Sequence, residues 1–201
     1  MKHKLLILLG FFSIIMLMSN CVGNTSEIKS NKMIGIYDVD FCTPSEDKLG
    51  NMTSKQYLDI AKATYGIEWF FDEDSVLYWG MTDGYGLSVP TKWEIQNNVL
   101  ILFERCKNGE RYPSAYLIKK VDGYDKMELY ASDILLNEYG SKVFFSDDIK
   151  STFRKDVKEH EETFNWHFCT LTRNKEKEQE YNKAKEQEEK LKKELEKLLG
   201  K

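Results

Sequence analysis

Between Ile67 and Ser132 the chain offers six short runs rich in aromatic and β-branched residues, separated from one another by turn signals. IEWFF gives way to Asp72-Glu73-Asp74-Ser75, VLYWGM to Thr82-Asp83-Gly84-Tyr85-Gly86 and TKWEI to Asn97-Asn98. VLILFER stops at Lys107-Asn108-Gly109, SAYLIKK at Val121-Asp122-Gly123, and MELYAS comes last. Consecutive strands with such tight connections predict an antiparallel meander. Pro90 stands just ahead of TKWEI, where a missing donor does little harm. Alternation in Met33 to Phe41 (MIGIYDVDF) adds a first strand. Roughly seven strands suffice to curl on themselves and remove most exposed edges. The expected fold class is mainly β with α, an antiparallel meander closing into a small β-barrel.

Helical signals flank the meander. Thr53 followed by Gln56 makes a capping box, Tyr57, Ile60, Ala61 and Tyr65 recur near one face, and Gly66 ends the pattern, which predicts a helix over 54–65 after the first strand. Ser146 as N-cap, Asp147 and Asp148 in the first turn, and the stripe Ile149, Phe153, Val157 predict a short packing helix. Thr163 to Thr172 (TFNWHFCTLT) sets Phe164, Trp166 and Phe168 against Asn165, His167 and Cys169. It could supply an eighth strand that closes the sheet and brings Cys169 to Cys42, the one disulfide the pattern suggests. Asn174 to Leu199 lacks Gly and Pro and is built from Lys, Glu, Gln and Leu. Pairs such as Glu186–Lys190 and Glu188–Lys192 each add about 0.2–0.5 kcal/mol to a helix, here about 39 Å long at about 1.5 Å per residue. Tyr181, Ala184, Glu188, Leu191, Leu195 and Leu198 trace a short heptad seam. It reads either as a solvated charged helix or as a segment, 175–199, for self-association or a partner helix.

The N-terminus carries an address. Lys2, His3 and Lys4 precede an uncharged apolar run, Leu5 to Met18, the layout of a secretory signal. The run is shorter than the roughly 20 residues of a spanning helix. Ser19-Asn20-Cys21 resembles the lipobox of bacterial lipoproteins, which implies cleavage before Cys21 and acylation of that residue with chains such as palmitate. Two or three acyl chains would hold the protein on its membrane. VGNTSEIKSN after Cys21 lacks the acidic run that resembles a surface-export signal in Bacteroidetes lipoproteins. The resemblance thus implies the bacterial outer membrane, with the chain facing the periplasm. The expected organisation is a signal peptide at 1–20, a lipidated polar tether at 21–32, a β-barrel domain with packing helices at 33–172 and a charged helix at 173–201.

A second resemblance rests on Gly35-Ile36-Tyr37, the following helix, FFDEDS, WEIQNNVLIL from Trp93, Tyr116-Leu117-Ile118 and MELY from Met127. In order and spacing these are similar to the lipocalin-like domains of many Bacteroidetes lipoproteins, over about residues 33–132. The likeness implies a lipocalin-like β-barrel and leaves the ligand open.

Motifs for chemistry are missing. The formal charge is −4, and losing Lys2 and Lys4 with the signal takes it to −6, which disfavours nucleic acid as a partner. With Cys21 acylated, Cys42, Cys106 and Cys169 remain, an odd set with no CxxC spacing. His160-Glu161-Glu162 and His167 lack a metal-ligand pattern, Asp38 and Asp40 share a strand face, and Asp72-Glu73-Asp74 suit a turn. Gly86-Leu87-Ser88-Val89-Pro90 lacks the second glycine of a nucleophile elbow. Gly80, Gly84 and Gly86 lack the ending of a phosphate loop. No catalytic, cofactor-binding or metal-binding residue is expected, and the protein is read as not an enzyme. Aromatics are the enriched feature: Trp69, Trp79 and Trp93 on neighbouring strands, with Tyr116, either fill the barrel or line an apolar ligand cavity. The function expected is a membrane-anchored periplasmic binding module for a small apolar ligand. The alternative is a structural or protein-interaction lipoprotein acting through its C-terminal arm.

Overall fold

Asn97 and Asn98 both take left-handed backbone angles, φ 50° and 65°, and Gln96 pairs with Val99 across them. A two-residue turn of this kind matches the right-handed twist of the strands it joins, and Asn tolerates it. A computed structural model describes the chain over residues 27–80, 91–107, 110–139 and 147–199. The strands are β1 (Gly35–Phe41), β2 (Glu68–Phe71), β3 (Val76–Gly80), β4 (Thr91–Gln96), β5 (Val99–Lys107), β6 (Glu110–Asp122), β7 (Lys126–Ser132) and β8 (Phe164–Arg173). Each is antiparallel to the next, and β8 also pairs with β1, so the strand order returns to its start. The curl is least continuous between β3 and β4, which share only the pairs Val76–Lys92 and Leu77–Thr91.

Six helices accompany the sheet: α1 (Ser30–Met33), α2 (Glu46–Leu49), α3 (Ser54–Tyr65), α4 (Asp133–Tyr139), α5 (Asp147–Glu159) and α6 (Lys175–Leu198) among the described residues. The capping box at α3 forms: the Gln56 N–H donates to Thr53 Oγ1, and the Thr53 N–H donates to Gln56 Oε1. The run VLILF in β5 is buried on both faces. Leu100 and Leu102 point into the curl, while Val99, Ile101 and Phe103 meet Leu135, Tyr139, Phe153 and Val157 from α4 and α5 outside it. Arg154 of α5 pins this layer with a two-pronged pair to Glu94, at 2.8 and 3.2 Å, over the Phe103 ring.

The start of the described chain is already folded. Ile28 and Met33 are buried in the same core as the strands, the Ile28 N–H donates to Asn98 Oδ1 at 2.6 Å, and the Lys29 N–H donates to the Tyr124 hydroxyl at 2.8 Å. The tether expected to run to residue 32 therefore gives way to packed chain by Ile28, and β1 begins at Gly35 rather than Met33. These two apolar side chains stop the end of the curl where β1 starts and β8 finishes. Cys21, the signal at 1–20, the Gly86–Pro90 segment and the Ser146 cap lie outside the described residues.

The strict alternation expected in β8 fails at Phe168 and Cys169, both of which join the inner core. A register shift between Leu129 and Tyr130 of β7, which face Cys169 and His167, leaves Phe168 as the extra residue of a bulge. Cys169 lies opposite Phe41, whose side chain is inward, and the next residue, Cys42, is turned the other way. Both thiols are free, and the expected Cys42–Cys169 disulfide does not form, because the pleat places the two side chains on opposite faces. The Cys42 sulfur instead approaches His167 Nδ1 at 3.5 Å.

The arm is fastened where β8 ends. Arg173 Nε donates to Glu178 Oε1 at 2.7 Å and its Nη2 donates to the Ile34 carbonyl at 2.9 Å, while the Ile36 N–H donates to the same Glu178 oxygen at 3.0 Å. This clamp occupies the space a side chain on residue 35 would need. Gly35 has φ 149°, and a Cβ there would collide with Glu178 Oε1 and lie 2.9 Å from Arg173 Nη2. Gly35→Ala is expected to cost about 1–3 kcal/mol, the range for a strained backbone position. The urea midpoint should fall and the first turns of α6 should become sensitive to protease; an unchanged midpoint with α6 still protected would contradict the role given to this glycine.

Candidate functional site

Three of the four aromatic residues singled out from the sequence lie inside the curl. Trp69, Trp93 and Tyr116 are all buried. Phe71 stands edge-on to Tyr37 at 5.7 Å and to Trp93 at 5.2 Å, Trp69 packs on Phe71 and Tyr116, and Tyr116 stacks on Phe168 at 4.7 Å. The geometry is that of rings packed on one another, the core-filling role. Trp79 takes its place opposite Trp69 in the β2–β3 ladder, and its side chain lies outside the described residues. Trp69 Nε1 donates to the Tyr65 carbonyl at 2.8 Å, which ties the interior to the end of α3.

Two polar atoms in this interior, the Tyr37 hydroxyl and Trp93 Nε1, have no hydrogen-bond partner among the described residues. Burial pushes the Tyr37 phenol from 10 up to about 12, against the opposing pull of Arg173. Cys169, fully enclosed, is pushed well above the usual thiol range by the same desolvation, and half-buried Cys42 is raised for the same first reason. Buried thiols of this kind are inert rather than nucleophilic.

An apolar cleft opens at the opposite end of the curl from Ile28 and Met33. Its volume is about 230 Å³, and its walls come from α3 (Tyr57, Ile60, Ala61, Thr64, Tyr65), α4 (Leu136), β6 (Tyr116) and β8 (Trp166, Phe168), with Met52 at the lip. Capping fixes where α3 starts, and the Trp69–Tyr65 hydrogen bond fixes where it ends, so its inner face is held across the mouth of the sheet. Ile60 and Met52 are exposed there although they are apolar. Among the described side chains of the expected aromatic set, Tyr116 is the one that reaches the cleft as well as the interior. Trp166 and the α3 face were visible in the sequence as apolar residues; nothing in their spacing showed that they converge.

A second, more polar groove of about 340 Å³ runs between β2 and α6, past Phe70, Asp72, Glu73, Asp74, Tyr181 and Lys185. Its central charges, Arg173 and Glu178, already neutralise each other in the clamp. The other candidate groups are dispersed. Asp38 accepts from the Asn174 amide at 3.0 and 3.2 Å, Glu161 accepts from Asn97 at 2.9 Å, His160 follows the last residue of α5, and His167 stacks on Tyr130. No grouping of three metal-ligating side chains exists among the described residues. None of their helices is long and apolar enough to cross a membrane.

Comparison with protein-family models, curated proteins and solved structures returns no match.

The raised Tyr37 pKa has a defined sign. The folded state holds this proton more tightly than the unfolded chain, so the stability it carries is complete below pH 10 and is lost as the pH rises toward 12. Tyr37→Phe should flatten the fall of the urea midpoint across that window. Because it deletes an unpaired buried hydroxyl, it should leave stability at neutral pH unchanged or higher by up to about 1 kcal/mol.

Proposed function

We propose that the protein is a membrane-anchored, periplasm-facing lipoprotein whose lipocalin-like β-barrel serves as a non-catalytic binding module for a small apolar ligand. The observation that carries the binding role is the cleft beneath α3, with its lining of Tyr57, Tyr65, Tyr116, Leu136, Trp166 and Phe168. Ligand pockets are typically about 300–1,000 Å³ and mostly apolar. At about 230 Å³ this one suits a single ring or the end of an acyl chain rather than a larger molecule. The barrel reading is supported by the return of β8 to β1 and by an inward core to which all eight strands contribute. The lipid anchor rests on the lipobox-like Ser19-Asn20-Cys21 alone.

Native mass spectrometry of membrane-extracted protein tests the anchor and the ligand together. The expected spectrum shows acyl chains on Cys21 and a bound small molecule. Recovery of an unmodified chain that still begins at residue 1 would rule out the lipoprotein reading. The cleft is tested separately with anilinonaphthalene sulfonate as a fluorescent apolar probe: Thr64→Trp, which fills the cleft from α3, should weaken probe binding by about tenfold, a change of about 1.4 kcal/mol. Unaltered binding by this variant would place the probe, and the proposed site, elsewhere.

A further inference from the structure

The arm α6 changes character along its length. Lys177 pairs with Glu68, Tyr181 packs on Phe70 at 4.7 Å between ring centres, and Lys185 lines the groove beside Asp72–Asp74. Contacts that step along β2 from Glu68 to the β2–β3 turn show the direction of the helix: it heads for the end of the sheet that Ile28 and Met33 plug. Every residue from 186 to 199 is exposed, and Leu191, Leu195 and Leu198 are 66%, 57% and 84% accessible. The projecting part, fourteen residues long, is about 21 Å at about 1.5 Å per residue.

The lipid tether leaves from the same end. Glu27 to Lys29 lie at the β4–β5 and β6–β7 turns, through the bonds to Asn98 and Tyr124. Five residues lie between Cys21 and Glu27, six residue steps that span at most about 21 Å when fully extended. A barrel held that close to the bilayer leaves the tip of the arm within reach of the surface.

The composition of the tip selects its partner. From Lys190 to Lys201 there are five lysines against Glu194 and Glu196, whereas Lys175 to Glu189 carries four lysines against six glutamates. At 100° per residue, Leu191, Leu195, Leu198 and Leu199 form an arc about 100° wide, with Lys192 next to one edge and, beyond Glu194 on the other side, Lys190 and Lys197. Lysines on both flanks can lay their stems along lipid and keep their charges among headgroups. A helical partner is served less well. The seam carries Glu188 in its core and Leu199 at a flanking position that coiled coils fill with charge, and it is shorter than the three to four heptads a secure coiled coil uses.

We propose that the Leu191–Leu199 tip of α6 is a second membrane contact, docking on the anionic bilayer in which Cys21 is anchored. The inference rests on the lipoprotein reading for its geometry, and its test does not use the anchor. The unacylated mature chain, residues 21–201 with Cys21→Ser, is mixed with vesicles of phosphatidylglycerol and phosphatidylcholine, and with pure phosphatidylcholine, and partitioning is measured by sedimentation. Binding to the anionic vesicles should weaken with added salt. It should fall by at least about tenfold in Leu191→Ser/Leu195→Ser/Leu198→Ser and in Lys190→Gln/Lys192→Gln/Lys193→Gln, which leaves the leucines in place. In Leu195→Trp, tryptophan emission should shift to the blue on vesicle addition. Equal binding by all variants, no shift in Leu195→Trp, or a vesicle-independent dimer dispersed by the leucine substitutions would overturn the proposal, the last by assigning the face to a second copy. Vesicle binding by the unacylated chain together with native Cys21 found unmodified would retain the tip contact and remove the anchor.

Discussion

The rest of the structure depends on β8 pairing with both of its neighbours. A meander of strands ends in two open edges, each a row of unpaired amides. Phe164–Arg173 satisfies both, taking β7 on one side and β1 on the other. That pairing turns one face of every strand toward a common interior, where Trp69, Phe71, Trp93, Tyr116 and Phe168 find each other. It also brings Arg173 beside the beginning of β1, where the arm is fastened, and Trp166 and Phe168 to the mouth that α3 covers.

Much of this was legible where the determinants are local. Asn97-Asn98 announced a hairpin turn, Thr53 and Gln56 announced the start of α3, and VLILFER announced a strand, though not that both of its faces would be buried. The features that were not legible depend on partners distant in sequence. Ile28 and Met33 are isolated apolar residues in a polar stretch, with no period to mark them, and only the open end of the sheet makes them core. The helix α4 has seven residues, too few for its stripe to stand out from a strand ending. The bulge at Phe168 reverses the side that Cys169 faces, which no pattern within TFNWHFCTLT foretells. Trp69, Trp93 and Tyr116 stood out in the sequence as aromatic residues of the meander, with core filling and cavity lining both open to them. Ring-on-ring packing within the described residues moves the apolar opening from the centre of the sheet to its rim, where five separate segments contribute walls.

The two ends of the sheet are chemically unlike. One is plugged by Ile28 and Met33 and surrounded by the charged pairs of the arm, among them Lys175 with Asp125 and Lys177 with Glu68. The other is apolar at its surface, with Met52 and Ile60 exposed around the cleft. Surface ion pairs of the kind found along the arm are individually worth about 0–1 kcal/mol, so the attachment of α6 depends more on the half-buried Arg173–Glu178 clamp and its backbone bonds than on the lysines around it.

That clamp also defines a path for force. Glu178 grips the amide of Ile36 and the guanidinium of Arg173, so tension applied along α6 enters β1 and β8 together, at the seam where the first and last strands run side by side. Chain continuing upstream from Glu27 loads the same end of the sheet. A pull between the two is therefore met first by a few residues of paired backbone at that end of the sheet.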